Sequence, residues 1–264
     1  MKYQPMYEDL LALMRQAGKI MLSAHDVDDG ENVSVKPGSA NFVTVFDLRV
    51  QDFLIEGVKQ ICPDAVFIAE EKENDAAVLS AEHCFIIDPI DGTTNFICDY
   101  RHSAISLALF SKGAAIFGAV YDPYLDEMFT AERGKGAFCN QRRIAVSQRP
   151  LDRALVAFGT APYDKEALAD QTFALCKKLL LTCGDLRRGG SAALDLAYLA
   201  AGRVDAFFEY RLSPWDVAAG SLLITEAGGV ISDLEGASLG FDAPSPVLAA
   251  SKTVYSDILS LVRG

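Results

Sequence analysis

Acidic side chains stand where apolar segments end. In CFIIDPIDGTTNF, residues 84–96, an apolar run stops at Asp88, and Asp91 follows three residues later. In FIAEE, residues 67–71, another run stops at Glu70 and Glu71, and Trp215 is followed by Asp216 at the start of an apolar helical stretch. A carboxylate buried without a partner is strongly disfavoured, and no basic residue adjoins Asp88, Asp91 or Asp216 in sequence. Acids gathered at the rim of a core therefore call for a cation. Oxygen donors without His or Cys select a hard one, Mg²⁺ before Mn²⁺ or Ca²⁺. If the chain turns between Asp88 and Asp91, both carboxylates and the Ile90 carbonyl point at one place, with Pro89 fixing the turn and Gly92 permitting close backbone approach. A local reading competes: Asp88 as helix N-cap, Pro89 as the first helical residue and Asp91 as the acid of the first turn. Thr93 offers its hydroxyl either to a metal-bound water or to a helix's first turn.

A second constellation lies further on. Arg187-Arg188-Gly189-Gly190-Ser191 precedes a helical stretch, 192–201. Free N–H groups at a helix start attract phosphate, although such a segment also serves as a plain cap and the arginines as surface ion pairs. The net charge of −12 disfavours nonspecific nucleic-acid binding. It also repels an anionic substrate unless a bound cation reverses the field locally. Six cysteines without a CxxC pair, in a chain without a secretion signal, read as buried thiols in a cytoplasmic protein. Three histidines make a Cys/His zinc site unexpected, and no apolar run is long enough to span a bilayer.

The elements that must position these groups follow from periodicity. Apolar spacing predicts helices over residues 7–23, 45–61, 164–181, 191–201, 214–227 and 253–262. Short apolar runs predict strands at 33–36, 65–69, 83–87, 103–110, 114–121, 127–130, 154–159, 204–209, 230–232 and 247–250, with a loop at 37–41. Turn residues between the runs from 103 to 130 indicate an antiparallel meander. The alternation describes a layered α/β or α+β protein. It divides softly near residue 150 into an N-terminal α+β subdomain, 1–150, carrying most candidate metal ligands, and a C-terminal α/β subdomain, 151–264, carrying Asp216 and candidate substrate contacts.

DPIDGTTNF (88–96), WDVAAG (215–220) continuing to TEAGG (225–229), GSAALDLAY (190–198) and GRVDAFFE (202–209) together resemble the inositol monophosphatase family, within the Mg²⁺-dependent, Li⁺-sensitive phosphatases. The similarity runs over nearly the whole chain. It implies an α-β-α-β-α layered sandwich of the sugar phosphatase type and two or three Mg²⁺ ions. It implies metal ligands at Glu70, Asp88, Asp91, Asp216 and the Ile90 carbonyl. Glu70, Thr93 and Asp47 form the implied catalytic set, Thr93 orienting the attacking water and Asp47 supporting it. Lys36 falls on a lysine of a mobile loop at the metal site. Gly92, Thr93, Gly190, Ser191, Ala192, Glu209 and Asp216 fall on substrate contacts.

The implied reaction is hydrolysis of inositol monophosphate or a similar small polyol or sugar phosphate by a homodimer, without membrane or nucleic-acid partners. Fructose 1,6-bisphosphate, NADP or 3'-phosphoadenosine nucleotides are the alternative substrates, and a regulatory binding protein of the same fold is the alternative class. The chain departs from the family pattern at Ala69, where glycine is common, at Phe46, where a smaller residue is usual, and in YRLSP, residues 210–214, which bears on substrate choice.

Overall fold

A computed structural model describes residues 4–24, 27, 33–35 and 42–263. Lys36 and the loop expected at 37–41 lie outside the described residues. Helix α1 (Gln4–Leu22) buries Leu10, Leu13, Met14, Ala17 and Met21, a spacing that keeps one face apolar. Strands β1 (Val33–Val35) and β2 (Phe42–Thr44) pair antiparallel and lead into α2 (Val45–Ile61). Thr44 caps α2: its hydroxyl accepts from the Phe46 amide, and its own amide donates to Asp47.

A seven-stranded sheet follows in the order β3 (Val66–Ala69), β4 (Cys84–Asp91), β5 (Ala104–Ser111), β6 (Ala114–Asp122), β7 (Glu127–Glu132), β8 (Gly136–Cys139), β9 (Arg142–Ile144). Only β3 and β4 run parallel; the rest is antiparallel, with β5 to β7 forming the expected meander and β8 and β9 extending it. Helix α3 (Thr93–Ile97) lies between β4 and β5. The remaining elements are β10 (Leu155–Phe158), α4 (Lys165–Leu180), β11 (Asp185–Arg187), α5 (Ala192–Ala200), β12 (Ala206–Leu212), α6 (Pro214–Glu226), β13 (Val230–Ser232), β14 (Ser245–Ala250) and α7 (Tyr255–Arg263). Their five strands form a second sheet in the order β11-β10-β12-β14-β13.

Strand alternation sets the layers. Phe85 and Ile87 of β4 pack with α1 and α2, whereas Cys84 and Ile86 join α5 and α6. Phe207 of β12 and Ala249 of β14 face α5 and α6 from the other sheet, while Phe208 and Leu248 pack with α4 and α7. The order is α1/α2, seven strands, α5/α6, five strands, α4/α7. Helices α5 and α6 are buried nearly all round, which accords with their mostly apolar composition.

Two expectations need correcting. No helix begins at Asp88. Strand β4 continues through Asp91, and α3 starts at Thr93 behind Gly92, whose φ of 89° is a left-handed conformation suited to glycine. The strands β2, β8, β9 and β11 were not foreseen, because FVT, GAFC, RRI and DLR are too short to show an alternation.

Candidate metal centre

A regular strand would point Asp88 and Asp91, three apart, to opposite faces. Strand β4 avoids this with an irregularity. Asp88 lies opposite Ser106 and Asp91 opposite Ala104, so three steps on β4 match two on β5 and both acids emerge on one side. Asp216 arrives from the first turn of α6, where it accepts the Ser213 amide at 2.7 Å and Pro214 occupies the first position. Carboxylate oxygens of Asp88, Asp91 and Asp216 lie within 4.8 Å of one another. Glu70, just past β3, is tied beside β4 by its amide to the Ile87 carbonyl and faces the same pocket of about 240 Å³. The Ile90 residue also lines it.

Burial pushes Asp88 well above the usual carboxylate range, and the neighbouring Glu70, Asp91, Asp216 and Asp47 push further. Asp216 is raised well above it for the same reasons. Asp91 is pushed up to about 6 by burial, opposed by hydrogen bonds from Ser191 and the Ala193 and Ala192 amides. Among the described residues no ion pair compensates Asp88, Asp91 or Asp216. Buried, crowded, oxygen-only donors without a compensating base fit a hard divalent cation.

Asp47 sits completely buried behind Thr93. One of its oxygens accepts the Thr44 amide at 2.8 Å and the Thr44 hydroxyl at 2.5 Å; the other lies 3.3 Å from the Thr93 hydroxyl. The Ile90 carbonyl is 3.2 Å from that same hydroxyl. Thr93 has one proton to donate, so its orientation is confined to these two acceptors.

The carboxylate pocket opens into a cleft of about 490 Å³ between the two halves of the chain. Gly92 and Gly190, both at φ 89°, meet at its floor; a Cβ on Gly92 would stand 3.1 Å from the Gly190 carbonyl oxygen. The start of α5, read from sequence as an anion site, already holds an anion of the protein: Asp91 accepts both the Ser191 hydroxyl and the Ala193 amide, the latter at 2.8 Å. Ala192 also lines this cleft. Glu209 accepts the Ala161 amide at 2.7 Å and is pushed up to about 7, chiefly by burial.

Among the cleft residues, Tyr163 and Asp195 escaped the sequence reading as site residues, whereas Arg188 and Arg211 stand in segments it had marked, RRGGS and YRLSP. Asp195 is buried and raised well above the usual range by burial, with Asp91 and Glu209 adding repulsion and Arg188 relieving it. Its position four residues after Ser191 on a buried helix was the available signal. The surface ion-pair reading holds for Arg187, bonded to Asp185, but not for Arg188, which lines the cleft and bonds Thr160 at 3.2 Å. The structure thus brings together Glu70, Asp88, Ile90, Asp91, Thr93 and Asp216 at the pocket, and Gly92, Gly190, Ser191, Ala192 and Glu209 at the cleft.

Layer order, a carboxylate pocket on the inner face of one sheet and a cleft shared with the other accord with comparison to known proteins: residues 2–263 match the inositol monophosphatase family, and the chain belongs to it. That family is Mg²⁺-dependent. The chain is 42% identical over 98% of its length to a Nus factor SuhB of Salmonella typhimurium, covering 96% of that protein. Among solved structures, an extragenic suppressor protein suhB from Bartonella henselae superposes with a TM-score of 0.90 at 33% identity, covering 98% of this chain and 99% of that one. An IMPase from Thermotoga maritima superposes at 0.86 with 30% identity, covering 100% and 97%. Among the described residues no helix is long and apolar enough to cross a membrane.

Proposed function

We propose that the protein hydrolyses a phosphomonoester of a small polyol or sugar, inositol monophosphate or a close analogue, with Glu70, Asp88, Asp91, Asp216 and the Ile90 carbonyl holding two or three Mg²⁺ ions. The supporting observation is the convergence of three carboxylates from β4 and α6 on one buried pocket that opens into the cleft. Bound Mg²⁺ supplies charge neutralisation at phosphate oxygens and acidifies water for attack. Thr93 donates to Asp47 and keeps its lone pairs for a water O–H, so Asp47 fixes the direction in which that water faces. Glu70, which lines the same pocket, is the carboxylate to accept the water's proton. Glu209 and Asp195 accept substrate hydroxyls, and Arg188 offsets their charge.

Arg211 in the divergent YRLSP segment lines the cleft while paired with Asp164, which keeps a bisphosphate or a nucleotide phosphate as the alternative substrate. The test is phosphate release from inositol 1-phosphate, fructose 1,6-bisphosphate and NADP. Release is expected with Mg²⁺, none in EDTA or with Ca²⁺ alone, and inhibition by Li⁺. Full activity in EDTA overturns the reading.

A second reading follows from the relatives named Nus factor, a name that places them in transcription. A hydrolytically inactive Asp91→Asn protein that still replaces a SuhB relative in cells would favour a regulatory role; failure to replace it would favour the enzyme. The homodimer and the cytoplasmic location stay part of the proposal.

A further inference from the structure

At the far end of β4 from Asp88 and Asp91, three donors of mixed type meet. Cys62 is the C-cap of α2, Asp64 follows in the turn after Pro63, and His83 immediately precedes β4. Atoms of Cys62, Asp64 and His83 lie within 4.8 Å of one another. The Cys62 thiol sulfur stands 3.2 Å from one Asp64 oxygen, and His83 Nδ1 stands 2.9 Å from the other. Backbone bonds hold the frame: Cys62 N–H to the Val58 carbonyl, Ala65 N–H to the Cys62 carbonyl and Val66 N–H to the His83 carbonyl. Asp88, the nearer pocket carboxylate, stands five residues along the chain from His83, so about 17 Å of strand separates this cluster from the carboxylate pocket.

We propose that Cys62, Asp64 and His83 form a second metal site, for a borderline-soft divalent cation of the Zn²⁺ class. Thiolate, imidazole and carboxylate are the donors that such an ion takes, at about 2.0–2.3 Å each in tetrahedral geometry. Tetrahedral bonds of that length set ligand atoms roughly 3.3–3.7 Å apart, and one donor atom from each of the three residues already lies within 4.8 Å of the other two. Asp64 has a side chain 69% exposed and His83 one 14% exposed, which gives an ion an outer approach and leaves the fourth position to water. Mg²⁺ does not compete, because sulfur and nitrogen donors do not suit it.

Without a metal, Asp64 is a hub that accepts from the thiol and from the ring N–H. With one, the thiol proton leaves to solvent, the ring proton moves to Nε2, and sulfur, Nδ1 and a carboxylate oxygen bond the ion. One proton is released per ion bound. Counting histidines argued against a zinc site, but the count missed a carboxylate as third ligand. The bound ion would clip the end of α2 to the start of β4.

The test is titration of the whole protein with Co²⁺ in saturating Mg²⁺. One equivalent should bind with a thiolate charge-transfer band and one proton released. Cys62→Ser should abolish the band, and Asp64→Asn and His83→Gln should weaken binding at least tenfold. Asp216→Asn, in the other pocket, should leave it unchanged. No band, a band that survives Cys62→Ser, or binding lost in Asp216→Asn instead overturns the proposal. If the buried Cys62→Ser protein fails to fold, the exposed Asp64→Asn decides: a band of undiminished affinity in it overturns the proposal.

Discussion

Asp91 is bound twice over, as a pocket carboxylate and as the acceptor for the Ser191 hydroxyl and Ala193 amide. In Asp91→Asn the side-chain oxygen keeps those bonds, but one charge leaves the cation pocket. The expected result is an intact fold in EDTA and a phosphatase rate at saturating Mg²⁺ lowered at least roughly a hundredfold. Near-normal activity would show that the capping bonds are the residue's whole role. Glu209 gives a pH signature. Its folded pKa, about 7, lies above the ordinary 4.5, so the folded protein binds the extra proton between those values. Stability from this group is therefore present at low pH and lost as pH rises through about 7. Glu209→Gln keeps an acceptor for the Ala161 amide and has nothing to ionise. In EDTA it should match the parent near pH 4 and exceed it by up to about 3 kcal/mol at pH 8. Urea melts at the two pH values measure this, and equal stability at pH 8 would refute it. What sequence disclosed at this scale was the acids, because buried carboxylates are rare enough to notice. Asp195 stayed hidden and Arg188 undecided because an acid in a helix's first turn and an arginine before a helix have common surface uses.

Helix α6 carries Asp216 and lies flat on the seven-stranded sheet. The Ser106 hydroxyl of β5 donates to the Trp215 carbonyl at 3.2 Å, and Gly118 of β6 lies under Ala219. A Cβ at Gly118 would stand 3.0 Å from the Ala219 oxygen and 3.1 Å from its Cα, both backbone atoms that cannot swing aside. Gly118→Ala should therefore lift α6, destabilise by about 1–3 kcal/mol and weaken Mg²⁺ binding by displacing Asp216. Calorimetric melting with a Mg²⁺ titration checks both; an unchanged melting temperature would mean the layers slide freely. The apolar helices were legible to within a few residues, α2 to its ends, because amphipathic period and the Thr44 cap agree. The continuation of β4 through Asp91 was not. Pro89 and two acids imitate a helix start, and only pairing with β5, a long-range contact, overrules them.

At the scale of the whole chain, α5 and α6 serve both sheets. Ala104, Phe110 and Val120 of the seven-stranded sheet pack on them from one side, and Phe207, Val247 and Ala249 from the other. Residues 1–150 made alone would leave an apolar sheet face uncovered, and we expect no cooperative thermal transition from that piece. A sharp, reversible melt of a soluble fragment would show that the first half folds by itself. The layer sequence was legible through family resemblance more than through periodicity, since no local pattern states which helix lies between two sheets. The shared helices also set an order in time. On the ribosome, the seven strands are complete at Ile144, yet α6 ends at Glu226, roughly 80 residues and about 4–16 seconds of synthesis later. During that interval the nascent chain presents a sheet with one greasy side open to the cell, so a chaperone that binds extended apolar surface should find its window there, and slowing translation between the two points should lower the yield of native protein.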